Sequence, residues 1–178
     1  MRTVEGEQHL VFRVAGTGYA IGVRHVREII EAGAITRVPA APTCVRGVTN
    51  LRGTVLPVID LAVKFGLAEC AITRWTCVIV LELEFHGEPM LLGILADAVS
   101  DVMSFGPDDL ATPPEFGTGV NTSYLKALAK VLDEFVLVLD VARLLSPGEL
   151  TGTVALPDAA PTAPAAASRV GTGPTDAG

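Results

Sequence analysis

Few residues in this sequence combine a reactive side chain with the spacing that chemistry requires. The three histidines are His9, His25 and His86. No two of them stand three or four positions apart, so no pair can ligate a metal from one face of a helix. We therefore expect solvated surface positions for all three: His9 at the start of a strand, His25 on a short helix and His86 in a turn.

Nucleophilic and phosphate-binding motifs are also missing. The three cysteines include no CxxC pair, and their odd number suits neither a disulfide framework nor a zinc site. Cys77 lies in an apolar run, which predicts a buried and unreactive thiol. The chain contains no GxSxG elbow and no Walker loop. The glycines of residues 16–22 depart from the dinucleotide-loop spacing by one position, so a hairpin turn explains them better.

Acidic pairs are the remaining candidates for acid–base chemistry. Asp97 and Asp101 are four positions apart, and Asp108 and Asp109 are adjacent. Paired carboxylates can exchange protons with a substrate, so a small enzyme using Asp97 and Asp101 is one hypothesis. Neither pair has a histidine, cysteine or metal partner in its motif. Solvated or capping carboxylates are the alternative interpretation, and it predicts a protein without catalytic activity.

One arginine is placed unusually, in the sequence Asn50-Leu51-Arg52-Gly53 between two apolar segments. A tight turn between strands would present Arg52 to solvent rather than bury it. It is then either an ordinary turn charge beside a glycine with special φ, or a guanidinium held rigidly for a partner's carboxylate. The local sequence does not decide between these two roles.

The elements that position these residues follow from hydrophobic periodicity. Alternation with period two predicts strands over residues 10–14, 19–23, 45–51, 54–59, 75–85, 90–95 and 135–139, continuing over 99–105. A short helix is predicted over residues 24–31, with Val26, Ile29 and Ile30 facing inward. Asp60 and Asp140 are placed to cap two more short helices. Residues 124–132 suit either a strand or a helix.

The strands fall into two similar series. The segments 26–29 and 58–61 of the first series correspond to 99–102 and 138–141 of the second. We therefore expect two β units divided at about residues 66–74, each ending in a capped helix. The helices are too short for βαβ crossovers, so the predicted class is all-β rather than a parallel α/β sheet.

Composition and charge disfavour several classes of partner. The net charge is −7, which disfavours nucleic acid and anionic membranes, so a nucleic-acid-binding barrel is a competing hypothesis without support from charge. No apolar stretch approaches the about 20 residues of a membrane span, and no signal peptide is evident, so we expect a cytoplasmic protein. Residues 1–7 are predicted to be flexible. Residues 149–178, rich in Ala, Pro, Gly and Thr, are predicted to form a disordered tail after a domain over 8–148.

The order of several motifs resembles the CheW family, the coupling proteins of bacterial chemotaxis. The resemblance rests on Val26-Arg27-Glu28-Ile29, Ile35-Thr36-Arg37-Val38-Pro39, Val45-Arg46-Gly47-Val48-Thr49-Asn50-Leu51-Arg52-Gly53, Pro57-Val58-Ile59-Asp60-Leu61, Gly93, Asp97-Ala98-Val99-Ser100-Asp101-Val102 and Val138-Leu139-Asp140-Val141. It implies two five-stranded β-barrels packed side by side, with short helices. It also implies a non-catalytic adaptor without cofactor that couples chemoreceptor cytoplasmic tips to a CheA-type histidine kinase.

The resemblance also implies where this chain would bind its partners. The implied protein-binding residues are Val26, Glu28, Ile29, Asn50, Arg52, Val99 and Asp101. The partners would be the receptor tip, the regulatory domain of the kinase and other CheW-like domains, in arrays at the inner face of the membrane. Val26, Ile29 and Val99 could instead be core residues, and Arg52 could pin two loops. An adaptor of another receptor–kinase pathway, for surface motility or development, is the alternative function.

Two departures from the family pattern bear on the local structure. Ala62 stands where an arginine or a similar polar residue is common. Residues 126–130 lack the glycines that are common in the corresponding hairpin, which leaves the strand geometry there to be tested.

Overall fold

The computed structural model describes residues 6–114 and 122–146, and most of these residues lie in β-strands. The strands are β1 (Glu7–Val14), β2 (Thr17–Gly22), β3 (Val26–Glu31), β4 (Val45–Leu51), β5 (Thr54–Ile59), β6 (Cys77–Phe85), β7 (Glu88–Ala96), β8 (Ala98–Phe105), β9 (Leu110–Ala111), β10 (Leu125–Val131) and β11 (Glu134–Leu139). The helices are α1 (Leu61–Lys64) and α2 (Val141–Leu144), and single 3-10 turns cover Val23–His25, Pro107–Asp109 and Thr122–Tyr124.

Two sheets of similar size make up the fold. Sheet A has six strands in the order β8-β1-β2-β11-β10-β9, and sheet B has five in the order β3-β6-β7-β5-β4. The segment after β3 returns to the far edge of sheet B, where Thr36 bridges to Val48, so sheet B curls towards closure. The predicted all-β class with two packed units is confirmed. The two-residue strand β9 gives sheet A one strand more than the predicted five.

The two halves of the chain exchange their first hairpins. Hairpin β1–β2 joins the later strands β8–β11 in sheet A, whereas β6–β7 joins the earlier strands β3–β5 in sheet B. Parallel pairing of β2 with β11, and of β5 with β7, holds each exchanged hairpin in place. The predicted division at residues 66–74 is therefore wrong as a boundary between the two β units, although it separates the two sequence series.

The second half of each series repeats closely. Strands β4 and β5 and helix α1 have the same lengths as β10, β11 and α2, and each boundary recurs 80 positions later, as from Val45 to Leu125. The predicted helix caps are confirmed: the Asp60 side chain accepts a hydrogen bond from the Ala62 amide at 3.0 Å, and Asp140 accepts one from Arg143 at 3.2 Å. The structure therefore bears out the internal repeat.

The buried apolar side chains form three cores, of which one joins the two sheets. One core lies within sheet A and one within sheet B. The third, which includes Phe12, Tyr19, Ile79 and Ile94, joins residues of both sheets. Several strands are buried on both faces, which explains near-continuous apolar runs such as residues 78–81. Each fully buried side chain of this size contributes about 1.5–3 kcal/mol.

Several local predictions are wrong. Residues 26–31 form strand β3 rather than a helix, because their branched side chains pair antiparallel with β6. Residues 124–132 were left open between strand and helix, and 125–131 form strand β10, which pairs with β11 although it lacks the common glycines. His9 is buried: its Nδ1 lies 2.8 Å from the Glu7 carbonyl oxygen and its ring packs against Phe105.

The predictions for the two ends of the chain fall mostly outside the described residues. Residues 1–5 and the predicted tail at 149–178 are not among them, whereas Glu7 is the first residue of β1.

Cys77, predicted to be buried, is half-buried, and burial raises the pKa of its thiol.

Candidate partner-binding surface

Two of the predicted binding residues, Glu28 and Arg52, form an ion pair. Arg52 donates from Nη1 to Glu28 Oε1 at 3.3 Å and from Nη2 to Oε2 at 3.0 Å. Glu28 lies on β3 and Arg52 in the β4–β5 turn, and β3 and β4 are the two edge strands of sheet B. The pair therefore connects the two edges of this sheet. Its bidentate geometry orients the guanidinium more firmly than a single contact would.

The turn itself holds Arg52 outward. Arg52 has φ 50° and Gly53 has φ 86°, the combination that a two-residue turn between twisted strands requires. The side chain of Asn50 accepts a hydrogen bond from the Gly53 amide at 2.8 Å, so Asn50 stabilises the turn. The Arg52 side chain is 79% exposed, whereas the Glu28 side chain is 23% exposed. Arg52 thus pins two elements, which is one of its predicted roles, while its role in binding a partner's carboxylate stays a prediction.

The predicted apolar contacts divide between surface and core. Ile29 on β3 is 42% exposed. Val26 on β3 and Val99 on β8 are half-buried and pack against the core between the sheets, so both are partly structural. Val102, which the sequence reading did not select, is 49% exposed and belongs to the same strand as Val99. Val26 and Val99 thus lie at the core shared by the two sheets, whereas Ile29 and Val102 add exposed apolar side chains on the same two edge strands, β3 and β8.

Asp101 lies apart from the predicted binding residues Glu28 and Arg52. It lies on β8, opposite Val11 of β1, and is exposed. Its Oδ1 accepts a hydrogen bond from the Val102 amide at 3.0 Å. Neither Glu28 nor Arg52 contacts it. Because β8 is an edge strand of sheet A, this carboxylate is presented on a different sheet from the Glu28–Arg52 pair.

The sequence reading missed a buried ion pair. Asp60 is 1% exposed, and its Oδ2 accepts hydrogen bonds from Arg46 Nη1 at 3.2 Å and from the Cys70 amide at 2.9 Å. Arg46 Nη1 also donates to the Cys70 carbonyl at 3.0 Å. Since Asp60 caps α1 as well, one carboxylate fixes the helix and the segment that follows it. The motif that carries the family resemblance includes Arg46, and an arginine within an apolar strand was the available signal.

Asp97, a candidate for acid–base chemistry, joins the two sheets instead. Its Oδ2 accepts a hydrogen bond from the Ala15 amide at 2.8 Å, and its Oδ1 from the Cys70 thiol at 2.9 Å. Burial, followed by the contact with Asp97, raises the pKa of the Cys70 thiol to about 12. A protonated thiol is a weak nucleophile. Both carboxylate oxygens are thus engaged in holding segments together.

The described part of the chain contains neither a metal-binding cluster nor a membrane-spanning helix. Within residues 6–114 and 122–146, no group of three His, Cys, Asp or Glu side chains is arranged to hold a metal ion. No helix in these ranges is long and apolar enough to span a bilayer.

Most of the sequence matches the model of a known protein family. Residues 8–149 match the model described as a CheW-like domain. The chain belongs to the CheW-like family. A chemotaxis protein CheW from Klebsiella aerogenes is 35% identical over 145 residues, covering 82% of this chain and 85% of the relative. A chemotaxis protein CheW from Treponema pallidum is 28% identical over 143 residues, covering 80% and 84%.

A solved CheW structure supports the same assignment. The scaffolding protein TtCheW from Thermoanaerobacter tengcongensis superposes with a TM-score of 0.68 at 27% identity, covering 76% of this chain and 85% of that one.

Ala62, the departure from the CheW-like pattern in α1, is 2% exposed. It is one of the residues that line a cavity between α1 and the segment after it.

Proposed function

We propose that this chain is a non-catalytic scaffold that couples chemoreceptor cytoplasmic tips to a CheA-type histidine kinase. The observation that carries the proposal is the CheW-like match over residues 8–149 together with the fold shared with a CheW scaffold. Rigid sheets with engaged polar groups suit a protein that acts by binding. The protein would work in the cytoplasm, at receptor arrays on the inner face of the membrane.

The apolar surface at the sheet junction is the proposed receptor site. On the edge strands β3 and β8, Ile29 and Val102 are exposed, and Val26 and Val99 are half-buried against the core between the sheets. A helical receptor tip could lay its apolar face on such a surface, as amphipathic helices do in hydrophobic grooves. The Glu28–Arg52 pair would belong to the same site, because Glu28 lies on β3 with Val26 and Ile29. Arg52 would donate a hydrogen bond to a carboxylate on the partner.

The kinase site is proposed at Asp101. Asp101 lies on the edge strand β8 of sheet A, whereas Asn50 and Arg52 belong to a turn at the edge of sheet B, so a second partner can contact Asp101 while the receptor contacts Arg52. A regulatory domain of the kinase, or another CheW-like domain, would bind there. Simultaneous binding is what a coupling function requires, because receptor state must reach the kinase through one continuous assembly.

A reconstitution tests this proposal. The purified chain is mixed with the CheA-type kinase of the same organism and a receptor signalling fragment, and kinase autophosphorylation is followed. Receptor control of the kinase should appear with the wild-type chain and weaken by about tenfold or more with Arg52→Ala. Arg37→Ala is the matched control, because Arg37 is also an exposed arginine paired with a glutamate, Glu69. It should retain control.

The contrary result is equally specific. If the folded wild-type chain binds neither the kinase nor the receptor fragment, the chemotaxis function fails. Receptor–kinase pairs for surface motility or development would then be tested in the same assay. If Arg37→Ala and Arg52→Ala lose control equally, Arg52 has no special place in an interface.

A further inference from the structure

A polar cavity lies at the end of sheet A where β1 begins and β2 ends. Because β2 and β11 pair in parallel, the residues that follow these two strands meet there. The first residues of β1 and β10 join them, since each of these strands pairs antiparallel with the strand after it. The cavity has a volume of about 190 Å³, and its polar lining consists of Glu7, His9, Arg24, His25, Lys126 and Asp140. Pockets for drug-sized ligands measure about 300–1,000 Å³, so this one suits a single small group.

Cations outnumber carboxylates around this cavity, although the chain as a whole has a net charge of −7. Arg24 and Lys126 line it from two different elements. Asp140 also lines it, but its carboxylate caps α2 and lies 3.8 Å from Arg143 Nε. Glu7 is the other carboxylate of the lining. With the histidines neutral, three cations and two carboxylates therefore lie together, and one of these carboxylates is already engaged as a helix cap.

The Glu7 carboxylate occupies the position between the two lining cations. Lys126 Nζ donates to Glu7 Oε2 at 3.2 Å, and Arg24 Nε lies 3.6 Å from Glu7 Oε1. The hydrogen bond from Lys126 is the main reason why the pKa of Glu7 is lowered from its ordinary value. Gly22 leaves room for this carboxylate, because a Cβ there would lie 3.3 Å from Glu7 Oε1 and 3.7 Å from the His25 ring. The chain thus already holds one oxyanion between Arg24 and Lys126.

A free anion of higher charge can replace the Glu7 carboxylate. Glu7 is the first residue of β1, and its side chain is 39% exposed, as are those of Lys126 at 47% and Arg24 at 68%. Ion pairs between exposed side chains contribute little to stability, so Glu7 can turn to solvent at small cost. A phosphate monoester carries about −1.5 to −2 charges at pH 7 and three strong acceptor oxygens, which exceeds what a carboxylate offers to the same two cations.

We propose that this cavity binds a phosphate group, as inorganic phosphate or a small phosphate monoester, between Arg24 and Lys126, with Glu7 displaced to solvent. A guanidinium and an ammonium group are the side chains that proteins use to bind phosphate. The bound anion would link the turn after β2 to the start of β10. None of the predicted partner-binding residues lines the cavity, so this inference does not depend on the proposed coupling function.

Amide chemical shifts of the full chain, measured by NMR, test the site. The chain is titrated with inorganic phosphate and separately with glycerol phosphate, while chloride keeps the ionic strength constant. The shifts of Gly22, His25 and Lys126 should change and saturate as expected for one site, whereas those of sheet B should stay constant. Saturation by either compound supports the proposal, and the lower Kd distinguishes free phosphate from a monoester. Shifts that do not saturate with either compound would overturn it.

Three variants test the assigned contacts, and the same spectra show that each is folded. Lys126→Ala should raise the Kd by about tenfold or more, because it removes a charged hydrogen-bond donor. Lys130→Ala is the matched control: Lys130 is also an exposed lysine of β10, but it lies outside the cavity, so its variant should bind like the wild type. Glu7→Gln should lower the Kd by about threefold or more, because no internal carboxylate then competes.

Two results with these variants would overturn the proposal. If Lys126→Ala and Lys130→Ala weaken binding equally, phosphate is attracted by surface charge in general and not held in this cavity. If Glu7→Gln binds phosphate more weakly than the wild type, Glu7 does not occupy the position of the anion.

Discussion

Removing Arg46 should destabilise the fold far more than removing an exposed arginine. In Arg46→Ala, Asp60 stays buried at 1% exposure and keeps its contacts with the Ala62 and Cys70 amides, but loses the guanidinium that pairs with it. Leaving a buried carboxylate without its partner costs about 3–5 kcal/mol. The Cys70 carbonyl also loses a donor. The two amides that remain place the expected loss near the lower end, about 3 kcal/mol.

Urea unfolding measures this loss. With a slope of about 1–3 kcal/mol per molar, a loss of 3 kcal/mol lowers the midpoint by about 1–3 M. Arg37→Ala is the control: its 66% exposed side chain pairs with the 47% exposed Glu69, so it should lose at most about 0.5 kcal/mol. Equal and small losses for Arg46→Ala and Arg37→Ala would refute the importance assigned to the buried pair.

Three further predictions use the same protein. Gly47→Ala should lower the free energy of unfolding by about 1–3 kcal/mol, because its Cβ would lie 2.2 Å from the Thr36 carbonyl oxygen; an unchanged urea midpoint would contradict this. The Cys70 thiol, with a pKa of about 12, should react with a thiol reagent at pH 8.5 at least about a hundredfold more slowly in the native state than in urea. Because this raised pKa keeps the native thiol protonated while the unfolded thiol ionises, its contribution to stability falls as pH rises from about 8.5 towards 12. Equal native and unfolded rates would contradict both statements. Leu132 has φ 54°, a left-handed conformation that glycine adopts freely, so Leu132→Gly should raise the free energy of unfolding by about 0.5–1 kcal/mol, and a decrease would show that the left-handed backbone is not strained.

Local elements followed well from the sequence where a short-range signal exists. The strands at 45–51 and 54–59, and the caps at Asp60 and Asp140, were predicted from alternation and from side chains that accept amide hydrogen bonds. Strand β3 was not, because Val26, Ile29 and Ile30 also fit a helical spacing. The register shift between Val26 and Glu28 interrupts the alternation that would have marked a strand. Pairing with β6, a long-range interaction, decided the conformation.

The exchange of hairpins between the two sheets could not be predicted from the sequence. Both parallel pairings that create it, β2 with β11 and β5 with β7, join segments far apart in sequence and leave no periodic signal. The internal repeat was visible, but repetition alone predicted that each series folds on itself. Which strand completes which sheet depends on the packing of the three cores.

The residues of the candidate surface came from the resemblance, and their role in binding stays a prediction; the contacts between them did not follow from the sequence. The resemblance supplied Glu28 and Arg52, yet only the structure shows that they pair. Arg46 was missed because a single arginine in a strand is ordinarily solvated. His9 was assigned to the surface for the same reason, and its contacts with Glu7 and Phe105 depend on tertiary packing.

The central claim is that one copy of this chain holds a receptor and a kinase together. Co-sedimentation tests it directly: vesicles carrying the receptor signalling fragment are pelleted with the CheA-type kinase, with and without the chain. The coupling function predicts that the chain greatly increases the kinase in the pellet, and that Arg52→Ala reduces this increase whereas Arg37→Ala does not. Kinase that pellets to the same extent whether or not the folded chain is present would contradict the coupling function.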